Sequence, residues 1–544
     1  MTSFVETTVS TTPRTLALNE IGVISATGGV VPTVFGNAAI TMGNAALLNY
    51  GVVAGDHTNA IVLSAAGAQI ENHGSISGGG NLAVINGFFG SASTSLDLVN
   101  FGTIAAQGNT DTSGILTFGG GNRITNFGEI SALLDTAIEL FDENDLAVGT
   151  GSTIDNAGRI VGGFSFAIEI NNNDDDVLHN SGAIIGSVGM GGGANRITNS
   201  GTIDGAISFG AGGDFVDNSG TINGNIQTGE GNFLLLNPGT IVGDIVLGFT
   251  GSDTIDLRYG HLIGSVRDFG GDDIYIVDDS KVSIIDNGGN FDEVQSYVDF
   301  AMPTGIESLR LMGTAVVGIG NSGDNTIFGS TVDNLMNGGS GLDTIVGDLG
   351  ADTVRGGAED DLVSGGDDDD VVSGGDGNDL LNGDAGDDRL TGGLDNDSLI
   401  GLTGDDSLFG GFGNDALQGG DGDDVLQGGR GRDTLNGGFD RDVFVYLKAT
   451  DSTVAVAGRD IISAFQNGTD QIDLSKMDAK TTTAADDVFT FIGTAAFSGV
   501  AGQLHFVVVG ANIVVEGDQN GDGTADFAIQ LNAIASVDVF DFVL

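Results

Sequence analysis

The 544-residue chain has no cysteine and no tryptophan, four prolines, and 17 lysines and arginines against 75 aspartates and glutamates. Without cysteine there are no disulfides, no thiolate metal sites and no cysteine nucleophile. With so little base, and a formal net charge of −58, the chain has no phosphate-tracking surface. Nucleic acid is therefore excluded as a partner, and an anionic membrane is reachable only through bridging cations. Proline is too scarce for the 95 glycines to signal a collagen helix, and no tripeptide period is present. Residues 1–20 show neither a basic n-region nor an apolar h-region, so no cleavable secretory signal is read there. The longest apolar stretch, Leu504–Val515, is broken by His505, Gly510 and Asn512, which leaves no transmembrane segment.

What is present is repetition. From Gly338 the chain divides into twelve consecutive nine-residue blocks, GGSGLDTIV to GGFDRDVFV, without a slip. The sixth position is always aspartate: Asp343, Asp352, Asp361, Asp370, Asp379, Asp388, Asp397, Asp406, Asp415, Asp424, Asp433 and Asp442. The eighth is always apolar, from Ile345 to Phe444. Two looser blocks precede them, with Asn325 and Asn334 in the aspartate slot. Glycine permits the tight reversal and the close approach of carbonyls, and the apolar eighth residue turns inward from a short strand. Two blocks make one 18-residue coil, and six coils stacked at ~4.8 Å span roughly 30 Å. Successive turns then present carboxylates and peptide carbonyls to one gap, an all-oxygen ligand set that suits calcium. A disordered acidic linker would not hold apolar residues in register. Residues 338–445 contain 26 acidic and 5 basic residues, a net charge of −21. If each ion bridges block i and block i+2, up to about ten ions nearly neutralise the segment. Without them, like charge and glycine entropy keep it unfolded, so binding and folding become one event. Glu359, Asp368, Asp395, Asp440, Asp348, Asp384 and Leu402 replace turn glycines, which weakens some sites.

These blocks match G-G-x-G-x-D-x-U-x, and the segment resembles the RTX (haemolysin-type) calcium-binding repeat of secreted Gram-negative bacterial proteins. The resemblance implies a parallel β-roll over 320–445 that folds on calcium outside the cell.

A second, longer repeat fills residues 1–247. Apolar-x-Asn-x-Gly-x-[Ile/Val] recurs at Asn49, Asn72, Asn100, Asn126, Asn156, Asn180, Asn199, Asn218 and Asn237, at spacings of 23, 28, 26, 30, 24, 19, 19 and 19. A looser copy lies at Asn19–Ile24. Period-2 strands with a recurring Asn-x-Gly turn predict a parallel β-solenoid, with the isoleucines stacked inside and the asparagines stacked at a turn. A β-sandwich with Asn-Gly turns is the alternative, but hairpins give no reason to repeat one motif nine times. Residues 248–319 read as a strand-rich transition. Gly251–Leu257 (GSDTIDL) and Gly270–Val277 (GGDDIYIV) there look like isolated, degenerate nonapeptides.

After Val445 the nine-residue period stops, and residues 446–544 alternate apolar strands with turns. The stretch Asp442–Ser475 resembles the C-terminal domain of serralysin-type proteins, which implies a β-sandwich-like secretion domain. Asp518, Asn520, Asp522 and Asp526 around Gly523 occupy four positions of an EF-hand-like loop, but Ile529 stands where the bidentate glutamate belongs. A calcium-bound β-turn and a plain polar turn both fit. The end, Asp541-Phe542-Val543-Leu544, resembles the uncleaved signal read by type I secretion machinery. The fold expected is thus all-β, with four segments: 1–247, 248–319, 320–445 and 446–544.

No catalytic constellation is recognisable. H-E-x-x-H and G-x-S-x-G are both missing, and the five histidines His57, His73, His179, His261 and His505 are isolated. Residues 1–247 offer one tyrosine, no lysine and four arginines, a poor set for abstracting a sugar proton beside a carboxylate. The groupings His57 with Asp56, and His179 behind Asp174–Asp176, read as surface loops. The expectation is an extracellular, calcium-stabilised structural, adhesive, surface-layer or matrix protein. Its partners are calcium, the secretion machinery, and either itself or a cell-surface or matrix glycan. The alternative is a polysaccharide lyase or epimerase on the solenoid. A pore-forming toxin would need apolar helices that are not here.

Overall fold

A computed structural model describes every residue except 1–2, 7, 11, 17–20, 26–28, 31–39, 43, 56–58, 65–66, 79–82, 88–94, 109–111, 142–149 and 482–486. The start of the loose copy at Asn19 and the His57–Asp56 grouping lie outside the described residues. Among the described residues there is no α-helix, only the 3₁₀ turns Val456–Gly458 and Val539–Asp541. Among these residues no helix is long and apolar enough to cross a membrane. The chain forms two compact units, Met1–Asp292 and Glu293–Leu544. The predicted segment 1–247 lies in the first unit, 320–445 and 446–544 lie in the second, and the transition is shared.

The first unit is a parallel β-solenoid with three strand columns. Ala46–Asn49, Ala68–Asn72, Leu96–Asn100 and Arg123–Asn126 are successive rungs of one column. Val52–Gly55, Ser75–Gly78, Thr103–Ala106 and Glu129–Ala132 form the second. Ile61–Leu63, Ala83–Gly87, Ser113–Phe118 and Ile138–Phe141 form the third. Register keeps like over like. Val53, Ile76, Ile104, Ile130, Ile160, Ile184, Ile203, Ile222 and Ile241 follow one another along the second column, and all are fully buried. Each contributes ~1.5–3 kcal/mol of apolar burial. The motif glycines follow from the same stacking: a Cβ on Gly128 would lie 2.0 Å from the Gly102 carbonyl oxygen. Beyond 247 the asparagine motif ends but the columns run on. Thr254–Asp256 pairs with Phe233–Leu236, and Ser283–Asp286 with Ser265–Asp268.

The second unit has two parallel columns, and each strand pairs with the strand 18 residues on. Leu335–Ser340, Thr353–Ala358 and Val371–Asp376 are rungs of one column; Thr344–Leu349, Leu362–Asp367 and Leu380–Ala385 belong to the other. The eighth-position residues from Ile345 to Phe444 form the core. The segment after Val445 first extends these columns rather than starting afresh. Ile461–Ser463 pairs parallel with Thr434–Phe439, and Gln471–Asp473 with Val443–Val445. Gln503–Val509, Asn512–Asp518 and Phe527–Leu531 then form an antiparallel meander whose last strand joins Ile461–Ser463 in parallel. The C-terminal segment thus adds strands to both sheets, Ile461–Ser463 and the meander to one, and Gln471–Asp473 with Phe542–Val543 to the other.

Candidate metal centre

The nonapeptide turns are built from one hydrogen bond repeated. The backbone N–H of each ladder aspartate donates to Oδ1 of the aspartate one coil further on. Asp343 N–H donates to Asp361 at 2.9 Å, Asp361 to Asp379 at 2.9 Å, Asp379 to Asp397 at 2.9 Å and Asp397 to Asp415 at 3.0 Å. On the other edge, Asp352 donates to Asp370, Asp370 to Asp388, Asp388 to Asp406 and Asp406 to Asp424. Asn325 and Asn334 start the two rows by donating to Asp343 and Asp352.

The second oxygen of each carboxylate is the informative one. In all twelve aspartates from Asp343 to Asp442, Oδ2 is buried and accepts no hydrogen bond. It lies over the first glycine of its own block: a Cβ on Gly374 would stand 2.0 Å from Asp379 Oδ2, and one on Gly437 1.9 Å from Asp442 Oδ2. A buried carboxylate oxygen without a partner is costly unless a cation or proton meets it. Burial accordingly raises these carboxyls above the ordinary range, to about 7 at Asp397 and Asp424. Among the described residues no three carboxylate or imidazole groups converge on one point. The arrangement therefore offers carboxylate oxygens in rows, with peptide carbonyls beside them, and this fits a hard cation bound mainly by oxygen.

The seven replaced turn glycines keep the turn. Asp348, Glu359, Asp368, Asp384, Asp395, Leu402 and Asp440 all have φ between +67° and +83°. They adopt the glycine conformation and bear its steric cost.

Two further aspartates that sequence reasoning missed complete the rows. Asp433 N–H donates to Asp460 Oδ1 at 2.9 Å, and Asp442 N–H to Asp470 Oδ1 at 3.2 Å. Burial, then the charge of Asp433, raises Asp460 to about 8. The signal was present: Asp460-Ile-Ile462 and Asp470-Gln-Ile472 keep the aspartate-x-apolar spacing after the nine-residue period has lapsed. An exposed second row was also missed, in which fifth-position side chains accept from the N–H 18 residues on, as Asp387 does from Asp405 and Asp405 from Asp423.

The EF-hand-like residues do meet in one turn, where hydrogen bonds occupy them. Asp518 accepts from Gly521 N–H at 2.7 Å and Gly523 N–H at 2.9 Å, and Asp526 from Gln519 N–H at 2.7 Å. The side-chain amide of Asn520 donates to Asp526 Oδ1, and Asp522 accepts from Thr524.

The described histidines have local roles. His73 is a ring in the stack Tyr50–His73–Phe101–Phe127, with centroids 4.7–4.9 Å apart. His505 lies between the Ala495 carbonyl at 2.9 Å and Glu516 at 3.0 Å. His179 contacts the Thr198 hydroxyl and, with Phe127, Asp155 and Asp217, lines an open cavity of about 360 Å³.

Comparison with known families assigns the ladder. Residues 319–354, 347–381, 382–417 and 409–444 match the RTX calcium-binding nonapeptide repeat, in four copies. These repeats bind calcium. A comparison with curated proteins finds no match. Solved structures that match include the solution structure of the AlgE6R3 subunit of the Azotobacter vinelandii mannuronan C5-epimerase. It is 24% identical over 28% of this chain and 78% of that one, with a TM-score of 0.21.

Proposed function

We propose that the protein is an extracellular structural or adhesive scaffold, a surface-layer or matrix component whose second unit is held folded by rows of calcium ions. The observation that carries this reading is the run of twelve buried, partnerless aspartate oxygens in register. The ligands are Asp343, Asp352, Asp361, Asp370, Asp379, Asp388, Asp397, Asp406, Asp415, Asp424, Asp433 and Asp442, with neighbouring peptide carbonyls. Asp460 and Asp470 extend the rows, and Asp518, Asn520, Asp522 and Asp526 form a peripheral site in their own turn. In calcium-poor cytosol the segment stays unfolded and can be threaded through a type I exporter that reads the C-terminal segment. At roughly 10⁻⁴–10⁻³ M calcium outside, it folds. The partner is a second copy of the chain or a surface glycan.

The experiment is calcium titration of the purified protein with light scattering, and retention of secreted protein on the producing cells with and without chelator. Calcium-dependent assembly or retention supports the scaffold; a monomer that never associates with itself or with cells contradicts it. The cavity at Phe127, Asp155, His179 and Asp217 favours a second reading, modification of a polysaccharide on the solenoid. Turnover of uronate polymers, abolished by His179→Ala, would establish that reading instead.

A further inference from the structure

The solenoid corner that follows the asparagine ladder changes character partway along the first unit. The residue after the ladder asparagine is Tyr50, His73, Phe101 and Phe127 in four successive coils, and these rings stack at 4.7–4.9 Å. In the next four coils the same place is taken by Ala157, Ser181, Ser200 and Ser219. The rail of rings stops and a trough begins. On the strand side of the asparagines, Thr125, Asp155, His179, Thr198 and Asp217 are register partners, one per coil. Together with Phe127 and the four small residues they line the open cavity of about 360 Å³. At ~4.8 Å per coil, the four steps from Phe127 to Ser219 give the trough a length of roughly 19 Å.

Its chemistry is selective. Phe101 covers one face of the Phe127 ring, but Ala157 stands where the next ring would, so the other face is left to the cavity, and Phe127 is 52% exposed. Hydroxyls and two carboxylates surround that apolar face. No lysine or arginine is among the described residues lining the trough. Among the described residues neither Asp155 nor Asp217 accepts a hydrogen bond or meets a base. In a chain of net charge −58 these carboxylates repel a uronate or sulfated polymer. They accept readily from hydroxyl donors. A pyranose ring has the matching surface, an apolar C–H face within a rim of hydroxyls. An added peptide strand has no free edge here, because each strand in this corner is already paired on both sides.

We propose that this trough binds an uncharged hexose polysaccharide. One sugar ring stacks on Phe127 in the place the next aromatic ring would occupy and donates to Asp155, and the following units run over Ser181 and Ser200 to Asp217. The inference rests on the scaffold reading above, whose glycan partner it names by class.

The test is isothermal titration calorimetry of the calcium-loaded full-length protein with cellohexaose, mannohexaose and a galactan hexasaccharide, against an oligouronate of the same length. At least one uncharged oligomer is expected to bind, and the oligouronate is not. Ala157→Phe extends the ring stack into the trough and should abolish binding with Tm unchanged or raised. Phe127→Ala should weaken binding at least about tenfold; if it fails to fold, Ala157→Phe decides. No binding of any uncharged oligomer, equal binding of the oligouronate, or full binding by Ala157→Phe would overturn the proposal. Such a result leaves the scaffold reading standing where calcium-dependent assembly or cell retention persists, whereas loss of both removes that reading whatever the calorimetry shows.

Discussion

At the scale of a residue, the ladder aspartate does two separable jobs. Its Oδ1 accepts a backbone N–H from the preceding coil, and its Oδ2 faces the ion gap. Asp397→Ala removes both, leaves the Asp379 N–H buried without an acceptor, and is expected to cost ~1–3 kcal/mol even before calcium is considered. Asp397→Asn keeps the acceptor and removes the charge, so its expected loss is in calcium affinity, at least about tenfold by calorimetry. Equal effects of the two variants on chemical unfolding with calcium chelated would contradict this division. Asp176 gives a residue-scale pH prediction in the solenoid. Its Oδ1 accepts from Ser152 N–H at 2.5 Å, its Oδ2 is buried without a partner, and burial raises the carboxyl to about 7. A folded-state value above the unfolded one means the group's stabilising contribution is complete below about 4 and is lost as pH rises through about 7. Asp176→Asn should remove that slope and raise Tm at pH 8 by about 2–4 °C; a Tm profile parallel to wild type across this range would contradict it.

At the scale of the element, two ladders specify register. In the solenoid each asparagine amide donates to the next asparagine's Oδ1, from Asn49 through Asn72, Asn100, Asn126, Asn156, Asn180, Asn199 and Asn218 to Asn237, at 2.7–2.8 Å. Asn199→Ala breaks this chain in the middle and strands a donor and an acceptor, a loss of roughly 2–4 kcal/mol by denaturant unfolding. In the roll, Leu402 holds a glycine conformation at φ 82°. Leu402→Gly should gain up to ~1 kcal/mol, while Gly431→Ala, whose Cβ would meet the Gly413 carbonyl oxygen at 1.5 Å, should be strongly destabilising.

Both ladders were legible because one residue type recurs at one place in each coil. The asparagine motif, the inward isoleucines and the sixth-position aspartates needed only counting. What escaped had lost its period or depended on three dimensions. Asp460 and Asp470 continue the rows across insertions that break the count. The continuation of the columns beyond residue 247 was hidden because the asparagine disappears while strand pairing continues. The contact of Tyr275 with Asp268 and Asp286 joins different strand columns, and no local spacing announces it.

At the scale of the whole molecule, stability has two sources. The first unit rests on apolar columns and neutral asparagine ladders. The second buries carboxylate rows within a segment of net charge −21, which disulfides cannot brace because the chain has no cysteine. Calcium is therefore expected to act as a folding ligand for that segment rather than as an accessory. The most direct test is far-UV circular dichroism of the full-length protein during calcium titration from a chelated start, with bound calcium counted in parallel. The account predicts a cooperative gain of β-signal complete by roughly millimolar calcium, reversed by chelator and accompanied by several ions per chain. A spectrum identical with and without calcium, with no ions retained, would contradict it.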